Sequence, residues 1–390
     1  MSVPATLFWL CIAGVFYIYI GYPLLIGLLA HWFPRPVLKS PNTLTATVII
    51  AGYNEAPRLA GKIENILSVH GADRIQQILI GSDGSTDQPE AALASIQDSR
   101  VKLVTFPERR GKPSVLNDLI PQATADILIL MDVRQRLHPK ALQALLDNFS
   151  DPTVGVVSGE LVFEQSESHT SAAQGIDAYW RYEKWIRERE SRFDSVPGAT
   201  GALYAIRREL AKPIPAESAL DDVLIPMQAI TQGYRCLLEP NALIFDQPSQ
   251  DAAQEAIRKR RTLAGCVQLL RFHPAWCIPG GHPISWQFSS HKIARLFSPV
   301  LLLVALAFSI LLTLNHFIYG LLLAGQFLGY GLGLWGIFIP SSQPQGRGRS
   351  KWYLVPRICG LFCVMQITLL TAWTDGLKGT NLALWRKTSK

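Results

Sequence analysis

Residues 78–87, ILIGSDGSTD, constrain the fold more than any other stretch, because a short apolar run stops abruptly on a carboxylate and a Gly-Ser-Thr turn. Such a run reads as a buried parallel strand whose C-terminal end delivers Asp83 into the crevice where open α/β sheets bind ligands. Its neighbours fit the same sheet. From residue 45 to about 163, β-rich runs alternate with helical ones, which places strands at 45–51, 75–81, 101–106, 126–131 and 154–157. That alternation predicts an α/β fold, a Rossmann-like, mostly parallel sheet with helices on both faces. The first strand ends in Tyr53-Asn54-Glu55, the second in Asp83 and the fourth in Asp132, so three polar clusters converge on one crevice.

Four further stretches bear on that crevice. Glu108-Arg109-Arg110-Gly111-Lys112 is a basic loop, either a solvated turn or, beside acidic strand ends, a cradle for an anion such as a diphosphate. Residues 198–202, GATGA, let a backbone approach a ligand closely, and Leu220-Asp221-Asp222-Val223 sets two acids among apolar neighbours. Acids so placed pair, do chemistry or cap a helix, and one of them is a candidate general base. After a strand-like stretch at 234–246, residues 255–265 form a helix with Arg258 and Arg261 on one face, suited to gripping a departing diphosphate or to touching lipid headgroups. The helix at 174–192, with Trp180, Tyr182, Trp185 and Arg187, is amphipathic and expected to pack on the sheet.

At 48% hydrophobic residues and a mean hydropathy of +0.17, the chain is too apolar for an ordinary soluble enzyme. Residues 7–30 are apolar for long enough to span a bilayer and lack the basic start and cleavage site of a signal peptide. Arg35 and Lys39 follow this span, which puts the next domain in the cytoplasm. The division expected is an N-terminal transmembrane helix at 1–36, a cytoplasmic catalytic domain at 37–273 and an interfacial region at 274–297. Trp286, His291, Lys292 and Arg295 of that region sit at headgroup depth. A transmembrane hairpin follows at 298–340, then 341–390, with a basic loop (Arg347, Arg349, Lys351), a run at 358–373 that is short for a crossing and reads as re-entrant or interfacial, and a basic tail inside. The result is a multi-pass protein of the cytoplasmic (inner) membrane. The net charge of +7 fits anionic lipid or an anionic substrate, and with no aromatic-interleaved basic stripe nucleic acid is not an expected partner. Six cysteines without a C-x-x-C pair imply neither zinc nor disulfides.

Taken in order, these residues resemble the membrane-bound family-2 glycosyltransferases of GT-A fold, the group with cellulose, hyaluronan and poly-N-acetylglucosamine synthases. The resemblance rests on Tyr53-Asn54-Glu55, Asp83-Gly84-Ser85, Asp132-Val133-Arg134, Leu220-Asp221-Asp222 and Arg258 to Thr262, flanked by membrane helices. It implies an inverting hexosyltransferase that moves sugar from a nucleotide-sugar donor, UDP-linked, to a polysaccharide or lipid-linked glycan acceptor, with export or synthesis proteins as possible partners. Tyr53, Glu55 and Asp83 would then hold the nucleotide, Lys112, Arg258 and Arg261 the diphosphate, and Asp132 a magnesium or manganese ion. Asp222, beside Asp221, would be the base. Arg134 replaces the second acid of the D-x-D motif, and Arg258 and Thr262 replace Gln and Trp of Q-x-x-R-W, so adding a few sugars to a lipid-linked acceptor stands beside processive extension. A second class of reading is a catalytically silent, nucleotide-sugar-binding subunit of a polysaccharide-synthesis complex.

Overall fold

A computed structural model describes residues 2–164, 171–247, 252–339, 354–378 and 382, so Arg347, Arg349, Lys351 and the basic tail lie outside the described residues. Eight strands form one sheet: β1 (Ala46–Gly52), β2 (Ile75–Asp83), β3 (Val101–Phe106), β4 (Ile127–Met131), β5 (Arg136–Leu137), β6 (Val154–Phe163), β7 (Leu203–Arg207) and β8 (Arg235–Asp246). Their order is β3-β2-β1-β4-β7-β6-β8-β5. The half containing β3, β2, β1 and β4 is parallel, as the strand–helix alternation predicts. Beyond it β7 runs antiparallel to both β4 and β6, and β5 antiparallel to β8, so the sheet is mixed.

The parallel strands are apolar throughout because both of their faces are covered. Ile49 and Ala51 of β1 enter one core with Val115, Leu116 and Leu119, whereas Val48 and Ile50 enter the opposite core with Ile63 and Ile66. The helices supplying those layers include α2 (Ala56–Ser68) and α3 (Lys112–Leu119). Gly81 lets α3 lie directly on β2, since a Cβ there would stand 2.3 Å from Val115 Cγ1. Farther along come α4 (Ser171–Phe193), α5 (Asp221–Thr231) and α6 (Ala252–Phe272).

Among the described residues four helices are long and apolar enough to cross a membrane: α1 (Val3–Trp32), α7 (Ser285–Thr313), α8 (Phe317–Phe338) and α9 (Val355–Lys378). The structure differs from the sequence reading at two of them. The supposed interfacial segment and the span after it are one continuous helix, α7. Its polar residues turn into protein: His291, 2% exposed, meets Glu190 and Glu183 of α4 at 2.9 and 2.6 Å, and Arg295 donates to Glu183 at 2.8 Å. Trp286 donates to the Tyr17 hydroxyl of α1 at 2.9 Å. Secondly, the helix around residues 358–373 begins before that run and continues past it, and 24 residues rise about 36 Å against roughly 30 Å of hydrocarbon.

The apolar helices are fastened to one another and to the α/β domain by polar contacts. Tyr19, Ser298 and Gln366, from α1, α7 and α9, close a ring of hydrogen bonds at 2.8 to 3.0 Å. At the other end of α9, Asp375 takes both Nε and Nη2 of Arg260, and a Cβ on Gly376 would meet Val267 Cβ at 2.6 Å. Glu190 is fully buried and shared by His291 and the Tyr22 hydroxyl. Removing it strands both partners, so Glu190→Ala is expected to cost about 3–5 kcal/mol. Arg136→Ala, which breaks an exposed pair with Glu164, is expected to cost less than about 1 kcal/mol. Thermal unfolding of the two variants in nanodiscs checks the contrast.

Candidate active site

Three chain segments meet at one buried ammonium. Lys112, the first residue of α3 and 8% exposed, places Nζ 3.0 Å from Asp132 Oδ1 and 3.2 Å from Asp221 Oδ2. Burial alone would lower its pKa, but Asp132 and Asp221 hold it above the ordinary lysine value. Asp132 comes from the end of β4 and Asp221 from the first turn of α5, where the helix dipole also favours a negative charge. The helix-capping alternative for these acids does not hold, because the N-cap is Leu220 and no side chain caps the helix.

Asp222 differs from its neighbour. Among the described residues its carboxylate makes no hydrogen bond and no ion pair, while its backbone oxygen accepts from Ala199 N–H at 2.7 Å. Burial, and then the charge of Asp221, raise its pKa to about 6, with Lys112 opposing. A carboxylate poised there, unbonded and still ionised at neutral pH, is what a general base requires. The small-residue run explains the room around it: a Cβ on Gly201 would stand 2.9 Å from Asp222 Oδ2.

The basic loop is aimed by Asp83. That carboxylate is fully buried and accepts the backbone N–H groups of Arg110 at 2.7 Å and Gly111 at 2.8 Å, immediately before Lys112. Its role here is to position the loop. Tyr53 lies under the Arg109 guanidinium, 4.0 Å from ring centroid to carbon, on the turn between β1 and α2. Asn54 fixes that turn in the left-handed region, φ 52°, and accepts Thr86 N–H at 2.8 Å. Glu55 is engaged with Arg58 at 2.6 Å on the same helix, and Arg134 turns away from the acids to pair with buried Asp246. Arg258 and Arg261 lie on α6, on the face of Gly265, where a Cβ would meet Leu220 Cγ at 2.6 Å. Arg261 makes no ion pair among the described residues, leaving it available beside the segment that carries the two acids.

Two residues escape sequence reasoning. Tyr204, central in β7, is fully buried, its hydroxyl has no hydrogen-bond partner, and burial followed by Asp221, Asp222 and Asp132 pushes its pKa well above the usual value. Lys62 of α2, also buried, donates to the Gln135 carbonyl at 2.8 Å; burial lowers its pKa to about 8 against the pull of Asp132. Nothing in LYAIR or in GKIEN distinguishes these side chains from ordinary core and surface residues.

The donor set suits a divalent cation held jointly with a ligand. Asp132 keeps 39% of its side chain exposed to the crevice, and the hard-cation oxygen chemistry is right. Among the described residues no group of three His, Cys, Asp or Glu side chains is arranged to hold a metal ion, so the remaining ligands would come from phosphate oxygens and water, the usual arrangement for magnesium beside phosphates.

Comparison with known proteins bears on the domain and its fold. The glycosyl transferase family 2 domain profile matches residues 47–214. Poly-beta-1,6-N-acetyl-D-glucosamine synthase of Staphylococcus aureus is 23% identical over 235 residues, covering 57% of this chain and 56% of that protein. The Staphylococcus epidermidis synthase is 22% identical over 202 residues, 50% of this chain and 48% of that protein. The chain thus spans about half the length of the curated relatives it matches. Among solved structures, mannosyltransferase PcManGT of Pyrobaculum calidifontis, in complex with GDP-Man and Mn2+, superposes with a TM-score of 0.68 at 23% identity over 95% of this chain and 99% of that one.

If Asp222 acts ionised, kcat/KM rises with pH to a plateau, its midpoint near the raised value of about 6, and Asp222→Asn removes that limb together with the activity. Gly201→Ala presses on the far end of a flexible side chain, so it is expected to leave the melting temperature nearly unchanged while lowering kcat at least about tenfold by misplacing the carboxylate.

Proposed function

We propose that this chain, whose residues 47–214 match the glycosyl transferase family 2 profile, is a glycosyltransferase of GT-A fold that transfers a hexosyl group, with inversion, from a nucleoside diphosphate sugar to a glycan or lipid-linked acceptor at the cytoplasmic membrane face. The observation that carries the reading is Asp222, an unbonded carboxylate with a raised pKa beside a buried cation and two further acids. In the proposed step the acceptor oxygen attacks the anomeric carbon and its proton passes to Asp222. The bond from that carbon to the diphosphate oxygen breaks, and its electron pair leaves with the diphosphate. A single displacement from the opposite side inverts the centre.

Lys112, and Arg261 from α6, supply positive charge where the leaving group develops negative charge, the kind of preorganised electrostatics that contributes most to such a step. The ring of Tyr53, already stacked on Arg109, offers a flat surface for a nucleobase. Sequence resemblance favours uridine, the archaeal mannosyltransferase carries a guanosine donor, and a stacking surface accepts either. Asp132 would hold magnesium or manganese, which when bound neutralises diphosphate charge; manganese in the archaeal structure supports that assignment. The four apolar helices would keep this site against the bilayer, where a lipid-linked or growing glycan is at hand.

Release of nucleoside diphosphate from a panel of UDP- and GDP-sugars, by the protein in nanodiscs, tests the proposal. Release is expected with one donor, to be stopped by chelator and restored by manganese. Asp222→Asn is expected to lower the rate by roughly 10²–10⁴ with nucleotide affinity little changed. Release from no donor, or a full rate in chelator, would count against the transfer or the metal assignment respectively.

A further inference from the structure

We infer that Asp221 is the second protein ligand of the divalent cation, sharing it with Asp132 and leaving Asp222 alone as base. This rests on the metal-dependent reading above. Asp132 and Asp221 arrive from distant parts of the chain, yet both point at a single ammonium, 3.0 and 3.2 Å away. That ammonium marks the spot on which two carboxylates converge on a positive charge. Asp221 is 6% exposed, and among the described residues its solvent-shielded Oδ2 makes no hydrogen bond and has the Lys112 ammonium at 3.2 Å as its ion-pair partner. A buried carboxylate oxygen with that one partner keeps acceptor capacity for a second cation.

Lys112 is the cation in ion-pair contact with Asp132 and Asp221, while Lys62 and Lys292 act on Asp132 and Asp222 without such contact. A cation held by the two carboxylates would free Lys112 for an incoming diphosphate. The strand end itself cannot supply the second carboxylate, because residue 134 is an arginine paired with Asp246. Magnesium and manganese beside phosphates are held by one or two carboxylates, so this pair is sufficient. Asp222 is set apart from it by its contact with Gly201 and by having no ion pair with Lys112 within 4.0 Å.

The alternative is that Asp221 serves Lys112 as a counter-ion and never touches metal. Titration of the full chain in nanodiscs with Mn2+, read by electron paramagnetic resonance with and without saturating UDP or GDP, separates the two. Asp221→Asn and Asp132→Asn are each expected to weaken Mn2+ binding at least about tenfold, and Asp222→Asn to change it less than about twofold. Lys112→Met is expected to tighten Mn2+ binding in the absence of nucleotide, since the ammonium competes for the same oxygens, and adding Asp221→Asn should abolish that gain. Wild-type affinity in Asp221→Asn alongside a loss in Asp132→Asn would overturn the inference while leaving the metal assignment standing. No Mn2+ binding by the wild type in any condition would overturn both. If Asp221→Asn does not fold, Lys112→Met decides alone, and an affinity unchanged or weakened would overturn the inference.

Discussion

The site is built around the burial of one ammonium among carboxylates. Lys112 sits where β2, β4 and α5 converge, and Asp221, 6% exposed, would be an expensive buried charge without it. Its placement depends in turn on Asp83, which spends both oxygens on backbone N–H groups of the loop just before it. The order of dependence therefore runs from a buried strand, through a carboxylate bonded to backbone N–H groups, to a loop and then to the lysine. Two acids one residue apart then take different environments: Asp221 is turned onto the ammonium, and Asp222 is kept off it.

Much of this is legible in the sequence because the relevant residues stand at discontinuities. A carboxylate ending an apolar run, as at Asp83 and Asp132, or two acids between Leu220 and Val223, conflicts with its surroundings, and the conflict marks function. The parallel half of the sheet is legible for the same reason, since alternation of strand and helix leaves few topologies. What stays hidden is whatever needs a third dimension. β7 is a short apolar run whose antiparallel direction follows only from its partners β4 and β6, and Tyr204 within it looks like any core tyrosine until the charges of Asp221, Asp222 and Asp132 are seen to act on it.

The motif pattern also says nothing of the partners each residue finds. Glu55, which the sequence resemblance gives to the nucleotide, pairs with Arg58 in the structure, and Arg134 pairs with Asp246. Likewise the polar residues of α7 look amphipathic along the sequence, but α4 provides Glu183 and Glu190 to receive them. An interfacial helix and a membrane helix docked on a charged domain present nearly the same sequence pattern, because pattern reports which residues are polar and not what faces them.

That docking has a practical side. Glu190 belongs to the catalytic domain, but its hydrogen-bond partners His291 and Tyr22 belong to α7 and α1, and a Cβ on Gly27 of α1 would come within 2.9 Å of Trp185. The boundary between enzyme and anchor is thus a packed interior crossed by charged bonds, with no linker to cut. A fragment trimmed to the soluble-looking residues 37–273 would expose the Trp185 face and leave a carboxylate stripped of its partners. The apolar helices are therefore structurally continuous with the α/β domain, and the two are best kept together.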